Sequence, residues 1–192
     1  KNNKHKYILV SLDKDNLGYE SLLFNYQRTP DKKTYKYPYP NLIEGLGSLY
    51  IDESGAVDKV RGEGHIFRCL QLLIGDSTDH FSPTRGLGVS FGEKSAYNIL
   101  KDCTTLKEAC EAVVKQYYLW FPSGEVSFTS WTGKKVNMKV YTWMNTIYTM
   151  LYMLKSRDDK TVFTDVLDSL GVHYKTNPNL DETNKIDDKE EG

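Results

Sequence analysis

One unbroken apolar run, Tyr7-Ile8-Leu9-Val10-Ser11-Leu12, followed at once by Asp13-Lys14-Asp15, constrains this chain more than any other feature. It lacks the alternation of a strand with one wet face, so it reads as a strand buried on both faces, the habit of parallel sheets. An α/β fold follows as the expectation. A strand of that kind needs neighbours, yet the chain opens on it without a methionine. The sequence therefore reads as the later part of a longer polypeptide.

The coarse pattern beyond the run is mixed. Leu22–Tyr26 is a second short strand, and residues 28–41 form a Pro- and Lys-rich loop. Gly47–Ile51 and Ala56–Val60 flank Asp-Glu-Ser-Gly, the signature of a hairpin. Ile66–Ile74 is an apolar helix with Ile66, Cys69, Leu70 and Leu73 on one stripe, stopped by Gly75. Residues 84–92 are a glycine-punctuated loop. Helices are expected over Glu93–Asp102, Thr105–Phe121 and Val136–Leu154. The last is expected to be the longest, with Val140, Met144, Ile147, Leu151 and Leu154 on one face.

Charge excludes some partners and suggests others. The 25 basic and 26 acidic side chains rule out a polycationic nucleic-acid arm or a disordered polyelectrolyte. No apolar run approaches the roughly 18 residues of a membrane span, and no secretory leader is visible. Three cysteines, Cys69, Cys103 and Cys110, with no Cys-x-x-Cys pair, argue against a disulfide framework or structural zinc. That points to a reducing compartment such as the cytoplasm. Residues 175–192 hold six acids against three lysines and read as a solvated, disordered tail. Residues 1–40 carry eight Lys/Arg against four acids, and Phe128–Arg157 carries five and no acid. Such patches suit a polyanion, and equally suit ordinary solvated faces. Trp131, beside Lys134 and Lys135, either stacks on an end base or simply packs.

Two carboxylate clusters carry the chemistry. Asp13 and Asp15 follow the first strand, and in α/β sheets ligands bind beyond the carboxyl ends of strands. Asp76 and Asp79 lie in Gly75-Asp76-Ser77-Thr78-Asp79, directly after a helix. Four converging carboxylates are costly without a cation, and oxygen ligands suit Mg²⁺ or Mn²⁺. Taken singly, Asp-Lys-Asp is a common surface turn and Gly-Asp-x-x-Asp a capped loop. The hairpin Gly86-Leu-Gly88-Val-Ser90-Phe-Gly92-Glu-Lys94 offers uncovered backbone N–H groups and a helix N-terminus to a phosphate. Lys94 sits in that first turn, where the helix dipole opposes it; a phosphate would relieve the conflict.

Together ILVSLDKD, LLIGDSTDHFSP and GLGVSFGEKSAYNIL resemble the 5′-nuclease superfamily, the flap endonucleases and 5′→3′ exonucleases of bacterial polymerases and, most of all, of tailed phages. The resemblance covers about residues 7–125. It implies the C-terminal part of a PIN-like parallel sheet over residues 1–82, then a helix–three-turn–helix and helical region over 83–174. It also implies that Asp13, Asp15, Asp76 and Asp79 ligate two Mg²⁺ or Mn²⁺ ions about 3.5–4 Å apart that drive phosphodiester hydrolysis. Gly88, Ser90, Gly92 and Lys94 would hold duplex DNA, with a potassium ion at the hairpin in some relatives. His80 stands where the family pattern has Asn, and the glycine loop is one residue short near Phe91. The family's upstream half, with its further acids and its basic arch, is not represented. The implied protein is a DNA 5′→3′ exonuclease or flap endonuclease of replication or recombination, active only with an N-terminal half. The alternative is a non-catalytic module that binds DNA structure.

Overall fold

The computed structural model describes residues 7–24, 40–53, 55–84, 89, 91–154 and 156–180. It is a mixed α/β protein. Among the described residues there are seven strands in three small sheets and five α-helices, and the chain divides into two compact units. Residues 1–70 and 93–106 form the first; residues 71–92 and 107–192 form the second.

In the first unit β1 (Ile8–Val10) pairs in parallel with β2 (Ser21–Phe24), and β2 pairs antiparallel with β3 (Asn41–Ile43). A 3₁₀ helix, Lys14–Gly18, makes the short crossover. The expected parallel pairing is thus present, but the expected burial is not. Ile8, Leu9 and Val10 are 51%, 40% and 57% exposed, on the edge of a sheet only three strands wide. A strand is buried on both faces only where layers cover both faces, which this edge lacks among the described residues. The second strand ends at Phe24; the rest of its expected span, like most of the Pro- and Lys-rich loop, lies outside the described residues.

A hairpin of the unit pairs β4 (Ser48–Asp52) with β5 (Lys59–Glu63), one to three residues later in the chain than the strands expected on either side of Asp-Glu-Ser-Gly. Its open end is fixed by two glycines. A Cβ on Gly47 would sit 1.9 Å from the Glu63 carbonyl oxygen, and one on Gly64 would sit 2.6 Å from the Gly47 Cα. Both have φ near +75° to +79°, so only glycine fits either place. The contact leads straight into α1 (His65–Ile74), whose first amides bond to Gly45 and Leu46 carbonyls. That helix is apolar on more than the expected stripe. Ile66, Phe67, Cys69, Leu70, Leu72 and Leu73 are all buried. The unit boundary falls within it. α2 (Glu93–Leu100) completes the first unit, burying Ala96 and Leu100 and packing on β4 and β5.

The second unit is built on an aromatic core. α3 (Leu106–Trp120), the longest helix, buries Ala109, Cys110, Val113, Val114, Tyr117 and Tyr118. The expected helix over Val136–Leu154 begins four residues late. Residues 125–129 and 135–139 instead form an antiparallel hairpin, β6 and β7, and α4 runs only Val140–Leu151. The reason is local: Val126, Phe128, Val136 and Met138 alternate with polar residues, which is the period of a strand. The predicted core face of α4 is correct for Val140, Met144, Ile147 and Leu151; Leu154 lies beyond the helix and is 65% exposed. α5 (Phe163–Leu170) buries Phe163 and Leu167. Asn145 of α4 bonds Thr164 through both side-chain ends, at 3.0 and 2.9 Å, meeting one of the helix's otherwise unpaired first amides. The described start of the expected loose tail is anchored: Asn177 donates to the Pro122 carbonyl and Asn179 to that of Lys115. Residues 181–192 lie outside the described residues.

Candidate functional site

Asp13 and Asp15 open the 3₁₀ helix that follows β1. Asp13 is its N-cap, and its carboxylate accepts the Asp15 amide at 3.0 Å. Ser11 Oγ accepts from the Asp13 amide and from Asn16 Nδ2, so the strand end and the helix start form one small hydrogen-bonded knot. Asp13 is exposed and Asp15 half-buried. Both lie just past the carboxyl end of a parallel strand, where the sequence placed them. What the sequence did not signal is Arg68. From α1 its guanidinium donates to the Gly18 carbonyl and lies 3.7 Å over the ring of Tyr19, which pins the far end of the same turn.

Asp76 and Asp79 belong to the second unit. Asp76 and Phe81 exchange both backbone hydrogen bonds at 3.1 Å, closing residues 76–81 into a small loop. Gly75 at φ +74° makes this possible, because a Cβ there would lie 2.4 Å from the Phe81 carbonyl oxygen. Asp76 is buried, and its carboxylate accepts the Thr78 amide at 2.7 Å, as an Asx turn does. Asp79 and His80 are exposed, and His80 takes φ +56°. Two aromatics brace the loop. Tyr117 donates its hydroxyl to the Leu72 carbonyl at 2.9 Å, satisfying an end-of-helix acceptor, and Trp143 donates to the Pro83 carbonyl at 3.0 Å. Burial raises the Tyr117 hydroxyl well above the ordinary tyrosine pKa.

Among the described residues, no group of three or more His, Cys, Asp or Glu stands together to hold a metal ion. Asp13 accepts the Asp15 amide and Asp76 the Thr78 amide, so one carboxylate of each pair holds a local turn. Two of the scattered histidines have local partners: His65 Nε2 is 3.7 Å from a Glu20 carboxylate oxygen, and His173 is hydrogen-bonded to Thr176. The cysteines are unlinked, with Cys69 and Cys110 buried.

Of the expected phosphate-binding residues, Gly88 and Ser90 lie outside the described residues. Gly92 is exposed, with open space where a Cβ would be. Lys94 does stand in the first turn of α2, but Asp58 answers the unfavourable dipole there, at 2.9 Å from the ammonium. That hydrogen bond, then the charge of the same carboxylate, raises the lysine's pKa. Glu93, beside it, accepts the Val60 amide at 3.1 Å. The first turn of α2 therefore clasps the β4–β5 hairpin through both its charged residues.

Comparison with protein-family models, with curated proteins and with solved structures finds no match to this chain. No helix among the described residues is long and apolar enough to cross a membrane.

Proposed function

We propose that this chain is the C-terminal half of a 5′-nuclease-like phosphodiesterase acting on DNA, inactive until an N-terminal half joins it. The observation that carries the proposal is β1. It is apolar, parallel to its neighbour and exposed on its whole length, and Asp13-Lys14-Asp15 lies just past its carboxyl end. That is the condition of an inner strand whose sheet is incomplete, since parallel strands are normally covered on both faces. Asp13 and Asp15 bring negative oxygen donors to the strand end, and Asp76 and Asp79 bring them to the Gly75 loop. Lys94, Gly92, Gly88 and Ser90 remain the proposed DNA contacts, with Lys94 exchanging Asp58 for a phosphate.

A second reading has its own support. Asp13, Asp76, Glu93 and Lys94 are each engaged in local structure, and that suits a DNA-binding module with no chemistry of its own. One experiment separates the two. A 5′-end-labelled duplex and a 5′ flap are incubated with Mg²⁺, this chain and a superfamily N-terminal half supplied in trans, beside the Asp76→Asn/Asp79→Asn variant. Cleavage by the wild type that the variant loses supports the nuclease. Salt-dependent binding with no cleavage under any condition supports the module.

A further inference from the structure

The sequence left Trp131 between packing and stacking, and the structure removes packing. Trp131 is 98% exposed at the tip of the β6–β7 hairpin. A single exposed apolar side chain is ordinary on a protein surface, but three features set this one apart.

The tip is rigid. Ser130 accepts from Gly133 through its carbonyl at 2.9 Å, donates its amide to the Lys134 carbonyl at 2.8 Å, and accepts the Lys134 amide on its hydroxyl at 3.2 Å. Ser130 and Thr132 hydroxyls also meet at 2.9 Å. The ring is thus presented on a braced turn, so little backbone needs ordering on binding. The charge beside it has one sign. Lys134 and Lys135 follow directly, and no acid occurs between Glu125 and Asp158. Glu125, at the hairpin base, is itself held by Lys139 at 2.8 Å. Finally, Trp131 is the one apolar side chain of the turn; Ser130, Thr132, Gly133 and Lys134 add none.

We infer that this tip is a binding site for unpaired nucleotides, with the Trp131 indole stacking on a base and Lys134 and Lys135 meeting the adjoining phosphates. A planar ring beside cations is the chemistry of single-stranded nucleic-acid recognition, where each base offers a π-face and each linkage a negative charge. An anionic bilayer shares the charge but rewards summed apolar area, which a lone ring among polar neighbours does not supply. The inference rests on the proposal that the chain handles nucleic acid, and it adds the strand class: a flap or frayed end rather than paired duplex.

The test measures binding of the full chain to a labelled oligothymidylate of about 16 nucleotides, to a blunt duplex, and to phosphatidylserine–phosphatidylcholine vesicles. Trp131→Ala should weaken single-strand binding about 5- to 100-fold and leave duplex binding unchanged, while Trp131→Phe restores most of it. Lys134→Ala/Lys135→Ala should lower the salt dependence by about two phosphate contacts. The side chain touches no core, so circular dichroism of Trp131→Ala should match the wild type. Equal single-strand binding by wild type and Trp131→Ala overturns the inference while leaving the nuclease proposal standing. Trp131-dependent vesicle binding without oligonucleotide binding overturns it in favour of lipid. Trp131-dependent strand binding in a chain that no N-terminal half can make cleave upholds it and removes the nuclease.

Discussion

The two compact units solve the same problem by different means. The second closes its strands and helices around large aromatics: Tyr117, Tyr148 and Phe163 are almost wholly enclosed, and Tyr148 stacks on Phe163. The first relies on close backbone approach at Gly47 and Gly64, a buried α1, and a three-stranded sheet whose leading strand faces solvent. The difference teaches where each unit is finished. The second encloses its largest aromatics, whereas the first leaves a contiguous apolar run exposed at β1.

Perturbing the glycine contact gives the largest expected effect. Gly64→Ala should destabilise the first unit by roughly 2–6 kcal/mol, from about 1–3 for a left-handed non-glycine residue and about 1–3 for the clash with Gly47. Chemical denaturation checks the size. Hydrogen exchange should show α2 amides losing protection before those of α4; equal loss would erase the contrast between the units.

Tyr117→Phe is the matching test of the second unit. It leaves the buried Leu72 carbonyl without its donor, at about 1–3 kcal/mol. The pH sign follows from the raised pKa. The folded state disfavours tyrosinate, so this stabilisation is complete below the ordinary value near 10 and erodes as pH climbs from there towards the higher native value. Denaturation midpoints of wild type and variant should therefore keep a constant gap up to about pH 10 and converge only above it.

Leu9→Lys probes whether β1 is truly unfinished. On the isolated chain it should move stability by no more than about 0.5 kcal/mol, as exposed positions do. In the presence of the N-terminal half it should abolish any gained cleavage, because a lysine would then be buried without a partner. A large loss of stability in the isolated chain would mean that β1 is already covered, and would weaken the nuclease proposal.

The smallest effect belongs to Glu125→Gln. The Lys139 hydrogen bond, then its charge, lowers the Glu125 pKa. The pair thus stabilises the hairpin base above the ordinary glutamate range and loses that contribution as pH falls through the lowered value. Both groups are exposed, so the substitution should only flatten the acid limb of the melting curve slightly.

Much of this was legible in the chain. The α1 and α2 starts, the buried face of α4, the Gly75 stop and the position of Asp13 after a parallel strand all follow from short-range periodicity and turn chemistry. The β6–β7 hairpin was also written there, in the alternation of Val136 and Met138, but a helical face overlapping it at Val140 masked the change of period. Asp58 opposite Lys94, Arg68 over Tyr19 and Tyr117 beneath Leu72 could not be read, since each joins residues far apart in sequence.

What the sequence determined by itself was local: which segments are apolar, where glycine must turn the backbone, and which carboxylates follow a strand or a helix. Only the tertiary structure decided that an apolar strand stands exposed while a tryptophan stands wholly free of the core. Hydrophobicity is a property of a residue, but burial depends on what the rest of the fold brings to cover it.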